Sequence, residues 1–224
     1  MSLAHSTATI LAKELRTEFR SRELLGTTVV FVLIVIVLFS FTFNPTSSES
    51  RRFGPGLLWL AFLFAGSLML QPSFLREQTN DTLAALRLAP IDPFSILAGK
   101  MAANFLFLLL VELLLLPVFA VLYNIAILPV LAPLVLVLAL GTIGLATTGT
   151  VFSAVAAQAR LRELLLPLLL LPALAPVLIA STEATAGILR DPSELSLVWL
   201  TFLTCFDVVF LTAAWLFGEY LLEE

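Results

Sequence analysis

The chain has 224 residues, of which 60% are hydrophobic and only 12% charged, with a formal net charge of −4 and a mean hydropathy of +1.05. A soluble domain carries about 25% charged residues, so the composition excludes a water-soluble fold and a basic nucleic-acid-binding face and indicates an integral membrane protein. The lone cysteine, Cys205, and lone histidine, His5, exclude a disulfide framework, a cysteine-based metal site and a pair of histidine ligands to haem.

The N-terminal stretch Met1–Glu23 is polar with a helical stripe. Ala8, Leu11, Ala12, Leu15 and Phe19 recur at i, i+3, i+4 spacing, and Lys13, Glu14, Arg16, Glu18 and Arg20 fill the other positions. The spacing predicts an amphipathic helix over residues 5–23 lying in the headgroup region; a solvated helical tail fits the same pattern. The stretch is too long and too mixed in charge for a signal-peptide n-region, and no A-x-A site follows the first apolar run, so it reads as part of the mature chain.

Six spans follow. Leu24–Phe43 is uncharged and long enough to cross the hydrocarbon core. Asn44–Gly56, with Pro45, Pro55 and two glycines, reads as a loop, and Leu57–Leu75 as the second span. Arg76–Lys100 is a long polar interruption. Met101–Leu122 is the third span, broken by Glu112, and Tyr123–Pro129 is the turn into the fourth, Val130–Ala157, where Pro133 is tolerated in the first turn. Gln158–Glu163 is a short polar loop. Leu164–Thr182 is the fifth span, with Pro167, Pro172 and Pro176. Glu183–Glu194 is polar, either a loop or short helices, and Leu195–Gly218, broken by Asp207, is the sixth span. The expected fold is a single all-α transmembrane domain covering 1–224. Nine basic residues flank one side and three, Arg51, Arg52 and Arg190, the other. The positive-inside rule then places both termini and the Arg76–Lys100 stretch in the cytoplasm. Trp59, Tyr123, Trp199, Trp215 and Tyr220 sit near span ends, where aromatic residues anchor helices at the membrane interface.

The Arg76–Lys100 stretch is the main candidate for contact with a soluble partner. Asn80 or Asp81 supplies a helix N-cap, Leu83 and Leu86 share one face, Arg87 suits the C-terminal dipole, and Pro90 and Pro93 stop the helix. A short, stiff element with apolar residues and little local core suits docking into a groove; a surface helix packed on its own bundle fits the same pattern. Glu112 and Asp207 each lie mid-span, where an ionised carboxylate costs about 2.5–3.5 kcal/mol on insertion scales. Each must face protein or water, as part of a proton or substrate path, at a subunit contact, or as a protonated packing residue. Gly149, Ser153 and Ala157 form a small-xxx-small seam, with Gly141 and Gly144 earlier. Pro172 and Pro176 introduce kinks that serve a hinge or packing alone. Gly99–Lys100 is not the end of a P-loop: Phe94 stands where the first glycine is needed and Met101 where Ser or Thr is needed. An H-E-x-x-H motif, paired intramembrane aspartates and a Ser/His dyad are also missing, so the sequence gives no support for an enzyme.

Several segments taken in order resemble the CcmB family, the membrane subunit of the cytochrome c maturation ABC complex. They are Gly54-Pro55-Gly56-Leu57-Leu58-Trp59, Phe74 through Pro90 around Thr82-Leu83, Lys100, Gly141-Thr142, and Leu171-Pro172 with Pro176. The resemblance covers nearly the whole chain. It implies an ABC-2 type permease in the bacterial inner membrane that binds no cofactor directly, with ATP and Mg2+ on a CcmA-like cytoplasmic ATPase and haem as cargo. It also implies CcmC- and CcmD-like membrane neighbours, a CcmE-like haem chaperone, and a homodimer within the complex. The loop between spans two and three is then the coupling helix, with Arg76, Glu77, Asp81, Thr82, Leu83, Leu86 and Arg87 at the ATPase interface. Where family members often carry Gly-Ser/Thr-Leu-Glu, this chain has Asp81-Thr82-Leu83-Ala84, so an ion pair to the ATPase falls to Glu77, Asp81 or Arg87. An ABC-2 exporter half for a lipid, drug or other small molecule shares this architecture, and a non-transporting scaffold for haem-handling proteins is a further alternative.

Overall fold

The structure is a computed structural model, and it describes residues 3–42, 48–70, 74, 92–157, 162–190 and 196–223. The described residues form seven α-helices and one 3-10 turn, with no strand among them. They are α1 (Leu3–Ser21), α2 (Glu23–Thr42), α3 (Ser48–Leu70), α4 (Pro93–Leu122), the 3-10 turn (Leu128–Val130), α5 (Leu131–Ala157), α6 (Arg162–Arg190) and α7 (Leu197–Glu223). Six of these helices, α2 to α7, are long and apolar enough to cross a membrane.

Three boundaries differ from the sequence reading. The expected loop 44–56 is helical from Ser48 onward, because its glycines are packing positions and not breaks. Gly54 sits against Phe119 and Tyr123, and Gly56 against Thr182. The third span begins at Pro93 and not at Met101. Asp92 is its N-cap, accepting a 2.8 Å hydrogen bond from the Phe94 N–H, and Pro93 occupies the first helical position, where its missing N–H costs nothing. Pro93 therefore starts a helix; the one it was expected to stop lies outside the described residues. The fifth span runs on through Glu183 to Arg190, passing Pro167, Pro172 and Pro176 without a break. Ala184, Ala186 and Ile188 are buried along this extension.

Helix α5 is central, packing on α3, α4, α6 and α7, while α2 lies against α3 and α4 at the edge. Close approach depends on α5 being narrow. A Cβ on Gly141 would overlap the Trp59 ring and come within 2.7 Å of Ser181 Oγ. A Cβ on Gly149 would overlap the Leu70 side chain. Trp59 is consequently a core residue, fully buried, its indole N–H donating to Thr185 Oγ1 at 3.0 Å. Tyr123 is buried too, stacked on Phe119. Neither is the interfacial anchor expected from its position near a span end; Trp215 and Tyr220, in contrast, are exposed.

Helix α1 also departs from expectation. The predicted stripe is split: Leu11 and Leu15 are half-buried, whereas Ala8, Ala12 and Phe19 are exposed. The side turned inward carries Ser6, Ile10 and Glu18 and packs chiefly on α4. The α1–α2 corner is made by Arg22 in the left-handed region (φ 54). The Glu18 carboxylate accepts the Leu25 N–H at 2.9 Å and so caps the start of α2.

Substituting Gly141→Ala should destabilise the bundle by about 1–3 kcal/mol, the usual cost of overpacking, because Trp59 and Ser181 leave no room for the methyl group. Thermal unfolding in detergent, monitored by loss of the buried-tryptophan fluorescence, would show a lowered midpoint. Gly26→Ala, at a helical position with open space around it, is the control and should leave the midpoint unchanged or slightly raised.

Candidate functional site

The coupling residues Arg76, Glu77, Asp81, Thr82, Leu83, Leu86 and Arg87 lie outside the described residues. The frame that holds the two ends of their segment is described. On the outgoing side, α3 ends at Leu70, whose carbonyl oxygen accepts a 2.7 Å hydrogen bond from Ser153 Oγ on α5. Gly149, one turn earlier on α5, makes room for the Leu70 side chain. Gly149 and Ser153 thus clasp the end of α3 to α5.

On the returning side, the first two turns of α4 are almost wholly inside. Ser95, Ile96, Leu97, Gly99, Lys100 and Met101 are buried. Ile96, Leu97 and Met101 join Phe74, Ala154 and Ala214 in a small apolar cluster separate from the main core. Residues of α4, α5 and α7 therefore meet around Phe74, which precedes the coupling residues in the chain. A turn further on, Asn104 Nδ2 donates to Thr150 Oγ1 at 2.9 Å, fastening α4 to α5.

Lys100 is the residue that sequence reasoning left in the loop, as a charge to be counted for orientation. Its side chain is 1% exposed, and its ammonium lies 2.9 Å from Glu14 Oε1 on α1 and 4.9 Å from the centre of the Phe74 ring. Burial alone would raise the Glu14 carboxyl, but the charge and hydrogen bond of Lys100, helped by Lys13, hold it below the ordinary glutamate range.

The two mid-span acids are both buried but are not brought together. Glu112 on α4 faces Thr142, whose Oγ1 lies 2.6 Å from Glu112 Oε2 and 2.6 Å from the Leu138 carbonyl oxygen. A hydroxyl has a single proton, so both contacts are hydrogen bonds only when the glutamate carboxyl supplies a second one. Asp207 on α7 lies against Gly144, as does Val177, and neither of its carboxyl oxygens has a partner among the described residues. Thr142 and Gly144 are two positions apart on α5 and so point to opposite sides of it. The two acids therefore flank α5 without sharing a path. Of the proline pair in α6, Pro172 is exposed and Pro176 half-buried.

At the far end of α4, an apolar cavity of about 710 Å³ is lined by Leu113, Pro117, Val121, Ile127, Leu128 and Leu131, among others. Its lining has no side chain able to ligate iron. Among the described residues, no cluster of His, Cys, Asp and Glu could hold a metal ion.

Two measurements follow from this geometry. Glu112→Gln retains a donor and an acceptor toward Thr142 and should keep the thermal midpoint of the parent, while Glu112→Ala leaves a buried hydroxyl and an emptied site and should cost about 2–4 kcal/mol. For Glu14 the folded-state value is depressed, so its stabilisation is complete above the ordinary glutamate value of 4.5 and is lost as pH falls through the lower folded value. Amide hydrogen exchange in α1 should accelerate on acidification below that point in the parent, beyond the intrinsic chemical rate, and show no such step in Glu14→Gln.

The family model described as CcmB protein matches residues 5–217. Similar proteins include heme exporter protein B of Pseudomonas aeruginosa, 35% identical over 198 residues and covering 87% of each chain. The Rhodobacter capsulatus protein of that name is 33% identical, covering 78% of this chain and 79% of its own. That of Paracoccus denitrificans is 34% identical, covering 78% and 80%. With a match across almost its whole length, the chain belongs to the CcmB protein family.

Proposed function

We propose that this chain is the permease subunit of an ATP-driven complex for c-type cytochrome maturation in the bacterial inner membrane. Membership of the CcmB family carries the reading, and the relatives' name, heme exporter protein B, points to haem as the cargo. The chain is not itself the enzyme: ATP and Mg2+ are held by a cytoplasmic partner of the CcmA type. Binding and hydrolysis there push on residues 76–91. Leu83 and Leu86 form the apolar contact, and Arg76, Glu77, Asp81, Thr82 and Arg87 surround it. Both termini lie on that cytoplasmic side, and α1 lies along the membrane surface.

The architecture of the segment's base supports such coupling. The push enters at the ends of α3 and α4, and both are fastened to α5, the helix that touches most of the bundle. The lining of the large apolar cavity supports a division of labour, since it offers haem no axial ligand. Haem is handled by a CcmC-like neighbour, with a CcmD-like protein beside it, and the stroke releases the haem-loaded CcmE-like chaperone. Two copies of this chain form the membrane core of the complex.

The double substitution Leu83→Asp, Leu86→Asp tests the reading. Buried apolar anchors of an interface each contribute about 2 kcal/mol or more, so co-purification of the ATPase should fall by more than about tenfold and covalent haem on c-type cytochromes should fall with it. An intact complex with normal ATPase turnover would refute the docking role. An ATPase co-purifying without any haem-handling membrane protein would point to a general small-molecule exporter.

A further inference from the structure

Helix α1 is bonded to the returning end of the segment by more than surface contact. Gly99 lets α1 come so close to α4 that a Cβ there would stand 2.7 Å from Ile10 Cβ and 3.1 Å from the Thr7 carbonyl oxygen. One position on, Lys100 reaches Glu14 at 2.9 Å, with the lysine side chain 1% and the glutamate 21% exposed. The same ammonium lies over the ring of Phe74, which belongs to the outgoing end. One buried cation on α4 therefore meets α1 through Glu14 and, through the Phe74 ring, the chain just ahead of the segment. Beyond α1, the Glu18 cap and the left-handed Arg22 fix the corner into α2, and α2 is the span that, with α7, is least buried in the bundle.

Close backbone packing resists sliding, and a desolvated ion pair resists separation. A displacement of the α4 start consequently carries α1 with it, and the stiff corner passes the displacement to α2. We propose that Glu14 and Lys100 are positioning residues that make α1 and α2 a lever arm of the coupling segment, an inference that rests on the ATP-coupling reading given above. The stroke then has two exits from the segment. One runs through Ser153 and Gly149 into the central helix, and the other through Glu14 into the outermost span.

The test uses the whole complex in native membranes and after purification. In a Cys205→Ser background, a nitroxide is placed at Ala12→Cys, an exposed position on α1. Its spectrum is read without nucleotide and with the ATPase trapped by ATP and vanadate. The parent should show a nucleotide-dependent change in label mobility. Glu14→Gln should retain the ATPase and its turnover but lose that change, and matured cytochrome per ATP hydrolysed should fall about tenfold, the equivalent of about 1.4 kcal/mol. The charge exchange Glu14→Lys, Lys100→Glu should restore most of both readouts; a merely structural defect in Glu14→Gln would instead lower ATPase retention and turnover together. If Glu14→Gln keeps the mobility change and the coupling ratio of the parent while Leu83→Asp, Leu86→Asp loses the ATPase, the lever is overturned and the coupling reading stands. If the ATPase stays on the Leu83→Asp, Leu86→Asp chain, both are overturned.

Discussion

A helix enclosed by four others cannot carry large side chains on the faces it shares, and α5 meets that constraint with glycine, alanine and threonine. Gly141 admits Trp59, Gly144 admits Asp207 and Val177, and Gly149 admits Leu70. Lipid tails are as apolar as leucine, so hydrophobicity does little to draw helices together within a membrane, and close contact and hydrogen bonds must do it. Three of the buried hydroxyls on this helix follow the same logic. Thr142, Thr150 and Ser153 each reach a neighbour, toward α4 for the first two and the end of α3 for the third.

This arrangement gives the two ends of the molecule different characters. At the end where α3 stops and α4 starts, contacts are polar, specific and paired: Ser153 with Leu70, Asn104 with Thr150, Lys100 with Glu14. At the turn from α4 to α5 the surroundings are almost wholly apolar and form a wide, open hollow. Directional bonds fix the geometry at the first end, and apolar packing, with the Phe119–Tyr123 stack, holds the second.

The six spans were legible because the hydrocarbon core selects on composition over about 20 residues, and no packing detail is needed to read that. Boundaries were less legible. Pro93 and Gly54 were taken as breaks on residue type alone, yet Asp92 beside Pro93 is a cap-and-start signature that the sequence did display. The continuation of α6 through Glu183 was hidden because its polar residues resemble a loop, and only the pairing of Thr185 with Trp59 gives one of them a place inside. Trp59 and Tyr123 were misjudged since nearness to a span end says nothing about which way a ring points. The Glu14–Lys100 pair joins residues 86 positions apart, beyond any periodicity; its only trace was a lysine set at the edge of a long apolar run. Glu112 and Asp207 were found at once, as charges in spans always are, but their separation by α5 required the fold.

Lys100 has a further consequence for how the chain is made. While a nascent chain is threaded into the bilayer, each lysine or arginine beside a span acts as a bare charge that resists translocation, and Lys100 then has Glu14 far behind it, on a helix synthesised three elements earlier. In the finished protein the same ammonium is hidden and answered. The surface of the mature protein therefore has one positive charge fewer at that flank than a reading of the genetic message would count.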